Sequence, residues 1–192
     1  MKKLAVYLSF IVVAMLAAGI FGAVHDQISY SVAPEYFTRF KFLQFRLLDP
    51  AIPERVRVAQ TGFMASWWMG LPLGLLIGLG GFLQRTAGRM LNVLALSILL
   101  SFGFTLVFAL CGLAYGYVRT RHIDLGDYRG WFLPPGVAVR PFLCAGYMHN
   151  AAYIGGALAI PVAWAFLVVA YFRGRDAVGG GSGRDHGYAS GI

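Results

Sequence analysis

His25, His122 and His149 each stand where an apolar run of the sequence gives way to polar residues. Imidazole moves protons near neutral pH or ligates transition metals, and carboxylates beside it add ligands or fix the ring's tautomer. Asp26 adjoins His25, and Asp124 lies two residues from His122. Together these five residues form a candidate metal-ligand set for a divalent ion such as zinc or copper. Glu35, Asp127 and Cys144 fall in the same polar segments. None of the pairs has a local metal spacing such as HExxH, so any convergence must come from the fold. The competing expectation is plainer: polar residues collect where helices leave a bilayer, and the histidines there hydrogen-bond to neighbouring carboxylates.

The elements that would position these residues follow from composition. The 192-residue chain is 58% hydrophobic and only 12% charged, with a mean hydropathy of +0.66, which places it among membrane proteins. The apolar runs predict an all-α membrane protein with four transmembrane helices at about 4–24, 63–83, 91–118 and 150–172. External segments cover 25–62 and 119–149. Residues 1–172 read as a single integral membrane domain, and 173–192 as a flexible Gly-rich tail in which His186 is not a site. The first run also has features of a signal peptide, with Ala17 and Gly19 at cleavage-site spacing. The uncleaved helix is preferred, because the run continues to Val24 and carries small residues at Ala14, Ala18 and Gly22.

Similar stripes mark the other helices: Gly70, Gly74 and Gly78; Ser97, Ser101, Thr105 and Ala109; and Gly155, Ala159 and Ala163. They predict close helix packing, with the hydroxyls satisfying nearby carbonyls and a kink at Pro161. In the first external segment, Pro34 fits the first turn of an interfacial amphipathic helix running to about Leu48, with Ser31 as a cap. Its apolar positions would be Tyr36, Phe37, Phe40, Leu43, Leu47 and Leu48, with Arg39, Lys41 and Arg46 reaching toward headgroups or water. The glycines and prolines of Arg119–Met148 predict an ordered loop covering part of that helix. Cys111 and Cys144 predict neither a structural disulfide nor a redox motif.

The net charge of +8 is scattered along loop edges, which points to lipid headgroups and away from nucleic acid. Lys2, Lys3, Arg85, Arg89, Arg173, Arg175 and Arg184 fall on one side of the threaded chain. Arg39, Lys41, Arg46, Arg55, Arg57, Arg119, Arg121, Arg129 and Arg140 fall on the other. The raw count opposes the orientation that the first helix sets. Weighting Lys2 and Lys3 places both termini in the cytoplasm of a bacterial inner membrane, with the histidines outside.

HDQISYSVAPEYFTRFKF and MHNAAYIGG resemble stretches of uncharacterised small bacterial multi-pass membrane proteins. That resemblance implies no activity, only that the two regions form one external feature. The leading functional expectation is a non-catalytic scaffold or accessory subunit of a membrane complex, with a membrane-protein partner or a homo-oligomer. The alternative is a metal-binding membrane enzyme or sensor using the His/Asp cluster. A third is a passive channel or transporter along Ser97, Ser101 and Thr105. The apolar runs offer no ionisable residue for a proton relay.

Overall fold

The computed structural model describes the backbone of residues 1–179 and the side chains of residues 1–174. The expected flexible tail begins inside its last helix, and the rest of that tail, with His186, lies outside the described residues. Every regular element described is helical. Four stretches, Lys2–Val32, Glu54–Leu83, Ala87–Arg119 and Val139–Gly174, are long and apolar enough to cross a membrane. The chain is a multi-pass integral membrane protein.

Helix α1 (Lys2–Val32) has 31 residues, and at 1.5 Å per residue it outruns a hydrocarbon core of roughly 30 Å by several turns. Its exposed apolar side chains run from Leu4 to Val24. The last two turns therefore project past the lipid-facing band, and they carry His25, Asp26 and Ser29 as helix residues. The expected end at Val24 marks the end of the apolar run, not of the helix. Pro34 is what stops it: Ala33, the residue before the proline, is extended at φ −144°.

Pro34 does open a helix, but the helix is broken. It comprises α2 (Pro34–Tyr36), a π-helical turn (Phe37–Lys41) and α3 (Phe42–Gln44). It stops short of Leu48, at a reversal where Arg46 adopts φ 57°. Ser31 does not cap it; that hydroxyl donates to the Gln27 carbonyl at 2.9 Å.

The second span begins at α4 (Glu54–Ser66), directly after Pro53 and well before the expected residue 63. It continues through α5 (Gly70–Gly80) to Leu83. Backbones touch along its seam with α1: a Cβ at Gly62 would meet the backbone of Gly22, and one at Gly70 the backbone of Ala14 and Met15. Helix α6 (Ala87–Arg119) pairs with α7 (Val139–Gly179), its Gly112 and Gly116 lying against Ala151, Tyr147 and Cys144. The Ser97, Ser101 and Thr105 hydroxyls each donate to the carbonyl four residues back at 2.8 Å, as expected.

Helix α7 starts at Val139, so the expected loop 119–148 ends there and Phe142–Met148 are helical. Pro141 permits this because it sits in the first turn, where its missing N–H breaks no helical bond. The helix also runs on through Pro161 and past the expected end at 172. Two cores result. One joins Phe10, Ile77, Met90, Leu94, Ala163 and Leu167 at what we call the Arg89 end. The other joins Ala33, Tyr36, Phe37, Phe42, Val58 and Phe142 at the His25 end. The loop before α7 covers the second core: Phe132 lies on Phe40 with ring centres 5.0 Å apart, and the Ala138 N–H donates to the Glu35 carboxylate.

Candidate metal centre

Residues 25 and 29 are one helical turn apart, so the end of α1 turns His25 and Ser29 to one side, with Asp26 beside them. The facing side chain is His149, roughly three turns into α7. His25 Nδ1 lies 3.1 Å from Asp26 Oδ1, and His149 Nε2 lies 3.7 Å from the same oxygen. His149 Nε2 is also 3.2 Å from Ser29 Oγ. All four residues are buried. One donor atom from each of His25, Asp26 and His149 lies within 4.8 Å of the other two.

An ionised carboxylate only accepts, so a neutral His25 carries its proton on Nδ1 and donates it to Asp26. That leaves a lone pair on Nε2, which is buried and has no hydrogen-bond partner among the described residues. Unsatisfied buried polar atoms are rare because each forgoes its interaction with water. The rings are held firmly: His149 packs edge-on to His25 at 4.8 Å and stacks on Tyr36 at 5.0 Å. Phe21 stacks on His25 from the membrane side.

The cluster forms the polar end of a cavity of about 60 Å³ between the four spans. Phe21, Met69, Leu73, Phe102 and Ala152 supply apolar wall, and Lys41 reaches the same cavity from the π-helical turn. The additional residue in a π turn rotates the side chains downstream of it by about 100°. Lys41 and Phe42 are thereby turned inward, while Leu43 points out and is 56% exposed. The sequence pattern sends Lys41 into water; its backbone register buries it instead. Its ammonium donates to Gln44 Oε1 at 3.2 Å and sits 4.7 Å above the Phe40 ring. Burial lowers its pKa from the usual lysine value, and the Asp26 charge partly opposes that shift. Burial likewise pushes the Tyr36 phenol up, so it stays protonated.

Of the five residues proposed from sequence as ligands, the fold brings three together and leaves two apart. His122 is exposed in the loop after α6. Asp124 is used locally, its carboxylate accepting from the Gly126 N–H at 2.8 Å. Asp127 pairs with Arg119 on the surface, and Cys144 is buried on α7 with Sγ 3.5 Å from the Thr120 hydroxyl. Cys111 and Cys144 are both free thiols. Ser29, Tyr36 and Lys41 are site residues that the sequence pattern did not single out. The four-residue spacing of His25 and Ser29 points to a shared helical face, but only for a helix extended beyond the apolar run.

Two imidazoles and one carboxylate are a borderline N/O donor set suited to zinc, cobalt, nickel or copper(II). Three protein ligands leave a fourth tetrahedral position open. Comparison of the chain with protein-family models, curated proteins and solved structures gives no match.

Proposed function

We propose that this integral membrane protein binds a divalent transition-metal ion through His25, Asp26 and His149, at the edge of its apolar band. The convergence of one buried donor atom from each of His25, Asp26 and His149 within 4.8 Å carries the reading. Asp26 serves as a ligand, or as the carboxylate that orients His25. With Lys2 and Lys3 held in the cytoplasm, the site faces the periplasm of a bacterial inner membrane.

The experiment is metal analysis of purified protein, wild type against His25→Ala and His149→Ala, with His122→Ala as control. Loss of bound zinc or cobalt in the first two variants alone supports the reading, whereas equal metal content in all four samples ends it. A membrane-impermeant chelator should strip the ion from intact cells if the site faces outward.

The small-residue stripes that favoured a scaffold are used inside the chain, in the α1 to second-span and α6 to α7 seams. An accessory-subunit role would need a different surface, and co-purification of a reproducible partner in mild detergent would reveal one. The hydroxyls that favoured a channel are bonded to their own helix.

A further inference from the structure

Ser29 stands at the candidate metal centre without being one of its three proposed ligands. The residue is fully buried, with Oγ 3.2 Å from His149 Nε2 and 3.3 Å from the Asp26 carbonyl oxygen. Donors bound to one tetrahedral ion at about 2.0–2.1 Å stand roughly 3.3–3.4 Å from one another. The separations around the cluster bracket that value: 3.1 Å from His25 Nδ1 to Asp26 Oδ1, 3.7 Å from Asp26 Oδ1 to His149 Nε2, and 3.2 Å from His149 Nε2 to Ser29 Oγ. We propose that Ser29 Oγ is the fourth ligand, so that the ion is held by protein on all sides and binds no water.

The hydroxyl can change partners in place. In the metal-free protein Oγ and His149 Nε2 share one hydrogen bond. An ion on Nε2 ends that bond, and the hydroxyl keeps its other partner by donating to the Asp26 carbonyl, which leaves an oxygen lone pair for the ion. Three of the four ligands then come from the last two turns of α1 and one from α7. A set closed by four protein ligands marks a structural site, whereas a catalytic ion keeps one position for water or substrate. The ion therefore joins the end of α1 to α7 and does not activate water. This inference rests on the metal reading, and its test separates the two.

The full-length protein in lipid nanodiscs is loaded with Co²⁺, and its electron paramagnetic resonance spectrum is compared in ordinary water and in water enriched in oxygen-17, whose nuclear spin broadens the signal of cobalt that binds it. The wild-type signal should be the same in both. Ser29→Ala should broaden in the enriched water, because water takes the vacated position. Broadening in the wild type would show an open position and overturn the fourth ligand while the three-residue metal site stands. An unbroadened signal in Ser29→Ala would overturn it as well, since another group would then hold that place. Should Ser29→Ala fail to fold or to bind cobalt, Ser29→Cys decides. A thiol at that position should give a near-ultraviolet sulfur-to-cobalt charge-transfer band that the wild type lacks, and cobalt-loaded Ser29→Cys without the band would end the proposal. Failure of Co²⁺ to bind the wild type at all would take both readings down.

Discussion

The two ends of the bundle hold polar side chains between their helices, half-buried except for Gln84 at the Arg89 end and buried at the His25 end, and treat them differently. At the Arg89 end each is tied to backbone: Gln84 Nε2 donates to the Leu167 carbonyl at 3.1 Å, and an Arg89 guanidinium N–H to the Ala170 carbonyl at 2.6 Å. Arg89 Nε also donates to Gln84 Oε1 at 3.2 Å. Trp164 does the same for the Leu76 carbonyl at 3.0 Å. At the His25 end the cluster's side chains face one another across a cavity, and two buried nitrogens, His25 Nε2 at the cavity and Arg57 Nε beside Phe42, are left unmatched among the described residues. Polar groups that satisfy carbonyls join helices, and the join is complete as it stands. Groups that converge on a void with a spare lone pair are arranged for something that enters it.

The largest effect that would sharpen this contrast is on metal affinity. His25→Ala and His149→Ala should each weaken Zn²⁺ or Co²⁺ binding by at least about 100-fold, since a residue that merely orients a ligand is typically worth roughly 10–100-fold. Competition titration against a chromophoric chelator gives the number. A loss under about threefold in both would erase the functional difference between the ends. Arg89→Ala should show the opposite pattern. It strands Gln84 Oε1 and removes the side-chain donor that the Ala170 carbonyl accepts beside its helical bond, at a cost of about 1 kcal/mol in stability, and leaves metal affinity unchanged. Thermal unfolding in detergent beside the same titration checks both halves.

Asp26→Asn comes next. If Asp26 orients His25 without ligating, affinity should fall roughly 10–100-fold with little change in the cobalt spectrum. Loss of a direct ligand should alter that spectrum as well.

The four spans were legible because long apolar runs have one physical explanation. Their ends were less so. Hydropathy reports where lipid contact stops, and α1 continues beyond Val24 because His25, Asp26 and Ser29 are buried against protein. In the same way Pro141 resembles a helix breaker and is a first-turn residue of α7. The candidate ligand set was legible by type but not by partnership. His122 and Asp124 meet the same criteria as His25 and Asp26, and only the fold shows Asp124 occupied by its own turn. Lys41 was hidden because the π turn changes the helical phase within five residues, and a regular 3.6-residue period carries no trace of it.

Lys41 provides the smallest effect and the finest discrimination between the ends. A charge held for structural reasons should stabilise the fold, as is expected of half-buried Arg89, whereas one kept for a ligand should cost stability in its absence. Lys41→Met is therefore expected to stabilise the metal-free protein by roughly 1 kcal/mol, at the low end for replacing buried charge by an apolar side chain of similar volume. The pH dependence gives the sign independently. Because burial lowers the folded-state pKa of Lys41, the unfolded chain binds more protons between that value and the ordinary lysine pKa of about 10.4. Wild-type stability contributed by this group must then rise with pH across that window. The advantage of Lys41→Met should be full below the lowered pKa, shrink as pH climbs through it, and level off above about 10.4. Thermal unfolding of both proteins at pH 7 and at about pH 10 measures it. A variant less stable than wild type at pH 7 would mean that Lys41 holds the His25 end together much as Arg89 holds the other, and the contrast between them would fail there.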